Sequence, residues 1–562
     1  MDNRRLILLV IFFFSLAMLW SAWQKHNNPQ SVASSAPVAS EGAPAVPTPS
    51  SSIPAAKDAS AVPSAPPTAA KGEVVDIRTD LFHAQISSQG GDLVEMELLN
   101  YKATEDHNKD FKLFDAQHRY AAQSGLIGDG LPNHKTAYSI LPGKRELAAG
   151  DDALELRLEA PAVNGVKVTK VYTFKRGSYL IGVAYEIENG GQKEVAAHAY
   201  FQLQRDVQAP AGESRMVSTF TGPAQFTAEG KYKKIAFGDI EKGDAKFEKK
   251  ADDGWMGMVQ HYFVSAWVPP EKLQREFYVR NVSGGTDPVV AAGLIVPVSV
   301  VAAGSKVSFS TPLYAGPQIQ SILTQLAKPV ADGGIGAEGL PLVVDYGWLT
   351  IFAAPIFWLL EMIHKIVGNW GWSIVLLTVL IKAVFFPLSA ASYKSMAKMR
   401  AVGPRMQALK ERCGDDRQKL NMEMMNLYKT EKINPLGGCL PIVIQIPVFI
   451  ALYWALLGAV EMRNAPWVLW IHDLSAQDPY YVLPVIMMVT MLIQTKLNPT
   501  PPDPIQAKIT MIMPFAFGIM FFFFPAGLVL YWVVNNTLSI AQQWQITRMI
   551  ERGGQAANDA KA

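Results

Sequence analysis

The feature that most constrains this chain is a series of apolar stretches beyond residue 340, at 371–388, 438–460, 482–497, 509–524 and 527–547. Hydrocarbon offers no partner for an open N–H or C=O, so stretches of this kind enter a bilayer as helices. All five are read as spans, although some are short for a core of about 30 Å. Pro441, Pro447, Pro484 and Pro514 lie in or near their ends. A further apolar run, Leu6 to Trp20, follows Arg4 and Arg5 and is flanked by bulky residues rather than a small-residue cleavage site. It predicts an uncleaved signal anchor with its N-terminus in the cytoplasm. Charge parity then decides the ambiguous stretch Trp348–Ile363. With the anchor and five spans, residues 389–437 face the cytoplasm, and they hold ten Lys and Arg against five Asp and Glu. Counting Trp348–Ile363 as a span would export that basic segment. Pro355 and the gap Gly368–Trp372 also suit a helix lying at the interface. The expectation is six spans, both termini cytoplasmic.

The rest of the chain has other textures, which the averages conceal: 49% hydrophobic, 18% charged, net charge +2 and a mean hydropathy of +0.11. Residues 27–70 carry nine prolines, three charges and no aromatic residue, a composition that cannot offset its ordering entropy. They predict a disordered tether. From about 71 the pattern alternates. Val166, Val168, Tyr172 and Phe174 share one parity, a turn at Lys175–Ser178 follows, and Tyr179, Ile181, Val183, Tyr185 and Ile187 resume it. Period two around a glycine is an antiparallel hairpin. Similar short runs predict a large extracytoplasmic antiparallel β-sandwich. The expected organisation is an anchor (1–26), a tether (27–70), a periplasmic sandwich (71–335), an interfacial helix (340–367), a five-span core (368–550) and a short cytoplasmic tail (551–562). The fold class is thus an α-helical membrane bundle with a β-sandwich and a cytoplasmic helical hairpin.

Several chemistries find no support. Two cysteines make no disulfide framework, the near-neutral balance excludes a globally basic nucleic-acid binder, and nine scattered histidines suggest no metal site. No Walker loop is present, so no nucleotide or other cofactor is expected. The most informative residue is Lys382, within a span. A lysine near a helix centre costs roughly 2.5–3.5 kcal/mol on insertion scales, so it faces protein or water, or snorkels to the interface. Thr378, Lys382 and Ser389 fall at i, i+4 and i+11, a polar stripe on an apolar helix. Gln445, Gln494, Asn535, Asn536 and Thr537 add single polar residues on other spans, each readable as packing or as part of a hydrated cavity. One ionisable interior residue argues against a proton-coupled pump. Phe449, Tyr453, Trp454, Met487, Phe515, Phe517, Tyr531 and Trp532 form either lipid-facing surface or a pliable surface for unlike helices. Residues 389–432 predict a helical hairpin broken at Cys413–Gly414 and capped by Asp415 or Asp416. Its basic face, including Lys394, Lys398, Arg400 and Arg405, reads equally as a solvated face or as a surface for ribosome or lipid.

Long stretches carry a family resemblance: Val344–Trp348, Tyr393–Arg400, Ile433–Pro441, Trp470–Tyr481 and Phe524–Trp532. The chain resembles the YidC/Oxa/Alb family of membrane protein insertases in its Gram-negative bacterial form, in the bacterial inner membrane. The resemblance implies a non-enzymatic insertase and chaperone, working alone or with the Sec translocon. Its hydrophilic groove would open to cytoplasm and lipid and hold Lys382, Thr378, Gln445 and Asn535. The family commonly has arginine where Lys382 stands. A client-contact apolar surface would comprise Pro447, Phe449, Tyr453, Pro514, Phe517, Tyr531 and Trp532. Implied partners are nascent membrane proteins, the ribosome, the translocon and lipids, without sequence-specific nucleic-acid binding. Two rival readings are a secondary transporter, for which no internal repeat is found, and a membrane-anchored periplasmic carbohydrate-binding protein.

Overall fold

The computed structural model describes residues 72–104, 106, 108–210, 219–283, 288–346, 350–414, 416–431, 440–498 and 504–559. The expected anchor and tether, and the segment Ile433–Cys439, lie outside the described residues. The chain divides into two compact units at Val343/Val344.

Two antiparallel sheets, each nine-stranded among the described residues, make the first unit. One sheet runs from Val74–Arg78 through Phe82–Ser87, Leu93–Lys102, Ala121–Ile127, His198–Asp206, Val289–Pro297 and Arg275–Asn281 to Lys250–Ala251, with Asp110–Phe114 beside the third strand. The other runs from Lys233–Lys234 through Gly222–Phe226, Trp255–Val259, Phe263–Trp267, Lys306–Pro317, Leu180–Asn189, Val166–Lys175 and Ala153–Glu159 to Ser139–Ile140. Short helices α1 (Phe237–Lys242) and α2 (Gln320–Ala327) lie between and after these strands.

The alternation read from sequence sets this register. Phe174 pairs with Ile181, Tyr172 with Val183 and Val168 with Ile187 around Gly177, whose φ of 66° suits a residue without Cβ. These six side chains are buried. Across the interior Phe201 meets Trp267 at 5.0 Å and Tyr185 at 6.5 Å, so aromatic side chains join the sheets.

The inward parity of this strand includes Lys170, paired with Tyr185 and fully buried. Its ammonium donates to Gly90 O at 3.1 Å and lies 3.9 Å from Asp92. Asp92 also accepts from Gln123, which accepts from Gln202, which accepts from Tyr278. Burial drives the Asp92 carboxyl up and the Lys170 ammonium down, and each charge opposes the other's shift. Removing one member of such a pair strands the other. Lys170→Met is therefore expected to lower stability by about 3 kcal/mol, with most of the loss recovered by adding Asp92→Asn. Protease susceptibility of residues 72–343 against urea, in the detergent-solubilised full chain, measures both.

The second unit is helical: α3 (Thr350–Val367), α4 (Trp370–Val384), α5 (Phe386–Ala401), α6 (Gly403–Cys413), α7 (Arg417–Thr430), α8 (Leu440–Gly458), α9 (Val482–Leu497), α10 (Pro504–Phe521) and α11 (Ala526–Asp559). By length and composition α3 alone among the described helices could cross a bilayer singly. The pair α4–α5 qualifies jointly but bends by 67°. The break at Phe385 has a local cause. Pro387, second residue of α5, has no N–H for the Ala383 carbonyl and its ring crowds that carbonyl, so the ladder of α4 cannot run on while Pro387 fits the first turn of a new helix.

Candidate functional site

The polar residues of the second unit converge on α11. Asn369 starts α4 by accepting from Trp372 N at 3.1 Å, and its amide donates to Pro466 O, which fixes the helix at its N-terminal end. From there Thr378 and Lys382 follow one turn apart and both are buried, Lys382 with 6% of its surface exposed. Thr378 Oγ1 donates back to Ile374 O at 2.7 Å, so its proton is used within its own helix. Lys382 Nζ donates to Ser539 Oγ at 2.7 Å. Among the described residues no carboxylate lies within ion-pair distance of Lys382.

The stripe expected to continue to Ser389 is divided by the bend. Ser389 lies on α5, past the break, though it is also buried. What continues the polar surface is α11. Asn535, Asn536, Ser539 and Gln543, at i, i+1, i+4 and i+8, are all buried on one face. Gln445 of α8 donates to Asn535 Oδ1 at 2.5 Å. Asn536 reaches Thr490 of α9 at 3.4 Å, and Gln543 donates to Leu497 O and Asn498 Oδ1, each at 3.1 Å. Three helices thus meet α11 through polar side chains, two of them by direct side-chain pairs with groove residues expected from sequence. Thr537, by contrast, is exposed and bonded back to Val533 O. Ser539, Thr490 and Gln543 were not anticipated. The four-residue spacing from Asn535 to Ser539 to Gln543 is the sequence signal that marks them.

The apolar residues separate into two groups. Phe449 stacks on Tyr531 at 6.2 Å and meets Trp532 edge-on at 4.7 Å, while Phe521 packs on Trp532 at 5.4 Å. Tyr453 joins this side through Phe524 at 6.1 Å. Tyr531 is only 1% exposed and Pro514 is buried, so these two are interior wedges rather than open surface. Pro447 and Phe449 are half-buried, and Phe517 is exposed with Met511, Ile512, Phe515 and Ile519 on α10. Pro447 and Pro514 each sit inside a helix and remove one ladder bond.

In the basic segment α6 and α7 run antiparallel. Gly414 ends α6, and the Asp416 carboxylate accepts from Lys419 N at 3.0 Å to start α7. Tyr428 meets Met406 Sδ at 3.1 Å, and Arg405 bridges to Glu431 at 2.6 Å. Lys394 and Lys398 are exposed one turn apart on α5, where Arg400 also lies. The break between Ala401 and Gly403 precedes Pro404, which takes a first-turn position of α6.

Comparison with known proteins gives matches along almost the whole chain. A family model described as the YidC periplasmic domain matches residues 74–359, and one described as 60Kd inner membrane protein matches residues 362–553. A protein of Dechloromonas aromatica named membrane protein insertase YidC is 63% identical over 100% of both chains. A protein of the same name from Aromatoleum aromaticum is 57% identical, again over 100% of both chains. A crystal structure described as an active YidC insertase with its first transmembrane domain resolved shares 19% identity, covering 84% of this chain and 94% of that one, at a TM-score of 0.40.

Proposed function

The chain belongs to the YidC family of membrane protein insertases, and on that footing we propose that insertion works through the buried cation Lys382 and the polar face of α11. The protein is a non-catalytic insertase of the bacterial inner membrane, and its first unit is the family's periplasmic domain. The observation that carries the proposal is a lysine ammonium buried among apolar helices with a hydroxyl partner and no carboxylate near it among the described residues. Such a charge has a large unmet desolvation cost. An acidic or polar segment of a client that enters beside it relieves that cost, and the client gains the same interaction in return. Attraction and partial hydration lower the barrier to carrying a short hydrophilic segment across, with no nucleotide consumed.

In this scheme the client's apolar helix leaves along α8 and α10. Met511, Ile512, Phe515 and Ile519 are exposed along one face of α10 and Phe517 on the opposite one, a pliable and unlike-tolerant surface. The half-buried Phe449 packs on Tyr531 and Trp532, the cluster that Phe521 at the end of α10 also joins. Helix α3, though long and apolar enough to cross, lies at the interface in this reading, because charge parity keeps residues 389–437 cytoplasmic only with six spans and both termini cytoplasmic. The α6–α7 pair, with Lys394 and Lys398 before it, receives clients from the ribosome on the cytoplasmic side, alone or beside a Sec translocon. The sandwich lies in the periplasm, and its deletion is expected to leave insertion largely intact.

Two outcomes are expected. Lys382→Ala lowers insertion of clients with acidic translocated segments by about tenfold, the worth of one charged hydrogen bond, whereas Lys382→Arg retains it. Protease protection of a radiolabelled client in proteoliposomes measures this, and unchanged insertion by Lys382→Ala at matched protein levels would remove the charge from the mechanism. Photo-crosslinking groups at Phe449 and Phe517 are expected to capture a stalled nascent chain. Adducts at other positions with none at these two would redraw the exit route.

A further inference from the structure

We propose that Ser539 is a positioning residue for the Lys382 ammonium, and that its hydroxyl sets how strongly the groove favours clients with acidic translocated segments. This rests on the insertase reading above. A serine hydroxyl has one proton and two lone pairs. Here the proton goes to the Asn535 carbonyl one turn earlier on α11, at 2.7 Å. The oxygen therefore faces outward as an acceptor only, matched to an ammonium, which only donates. Lys382 Nζ takes that place at 2.7 Å.

The alternative for a lysine here is to extend toward water. Lys382 is three residues from the break at Phe385, and a lysine stem can carry its charge that far along the helix. A free lysine also spreads over many rotamers, which dilutes its field at any one point. The hydroxyl removes that freedom. It fixes the cation against the polar face formed by Asn535, Asn536 and Gln543, where Gln445 also points. A carboxylate could fix the ammonium equally well, but it would neutralise the charge a client must meet. A hydroxyl positions without neutralising.

The test uses the full chain in proteoliposomes and two single-span clients that differ only in Asp and Glu against Asn and Gln in a short translocated segment. The quantity read is the ratio of inserted acidic to inserted neutral client. The wild-type chain is expected to favour the acidic client and Lys382→Ala to abolish that preference. Ser539→Ala is expected to lower the ratio by about threefold or more, and to lower it no further in a Lys382→Ala background. Ser539→Thr and Ser539→Val have nearly the same shape and differ in the hydroxyl, so Thr should keep the ratio and Val lose it. That pair carries the test if Ser539→Ala fails to accumulate. A wild-type ratio in both Ser539→Ala and Ser539→Val, with the ratio lost in Lys382→Ala, overturns this inference and leaves the groove charge standing. So does an equal fall caused by Ser539→Ala with and without Lys382, which would mark a packing role. A ratio indifferent to Lys382 overturns both, and a wild-type chain that inserts neither client faults the insertase reading itself.

Discussion

A bilayer gives a buried charge nothing to bond to, and the helical unit is arranged around one such charge. Lys382 is buried against α11, whose polar face is continuous from Asn535 to Gln543. That face in turn decides how the neighbouring helices sit. Gln445 of α8 reaches it through Asn535, and Thr490 of α9 through Asn536. Side-chain hydrogen bonds between membrane helices are individually modest, around 0.6 kcal/mol on average. Their effect here is on rotation and depth, since each fixes which side of a helix turns inward. The aromatic contacts of Phe449, Tyr531, Trp532 and Phe521 then fill the space those rotations leave.

The two units each bury a lysine and handle it in opposite ways. Lys170 in the sandwich has Asp92 at 3.9 Å, a carbonyl at 3.1 Å and aromatic faces of Tyr172 and Tyr185 within 6 Å. Every face of the ammonium is met by protein, and the pair is closed to any other ligand. Lys382 has a hydroxyl. The first arrangement suits a charge whose task ends with folding. The second leaves the charge without a counter-charge, which is what the proposed role of Lys382 in insertion draws on.

Much of this was legible beforehand, and the residues that were not share a cause. Period-two alternation located the hairpin at residues 166–189 and its inward side chains, because a pleated strand leaves no other parity for a buried face. Lys170 has that same parity and was passed over, since a charge inside a sandwich makes sense only with Asp92 nearly eighty residues away in view. The α6–α7 turn was readable from Gly414 and Asp416, which act through local geometry. The break at Phe385 was not, although Pro387 announces it, and treating residues 371–388 as one helix put Ser389 on the wrong axis. Lys382, Gln445 and Asn535 stood out as polar residues in apolar runs. Ser539 did not, because a serine in a helix is unremarkable until its partner from another span is known. Aromatic residues gave the least guidance: Tyr531 and Phe517 look alike in sequence, yet one is interior and the other exposed.

The Asp92–Lys170 pair also bears on how this sandwich can drift over generations. A fully apolar layer at those two positions would pack well, and the strand parity would accept it. Yet reaching it one substitution at a time means passing through a chain with a single charge sealed between two sheets. The fold on either side of that step is sound while the intermediate is not. The pair is therefore hard to replace stepwise, even where the layer itself would be no worse without it.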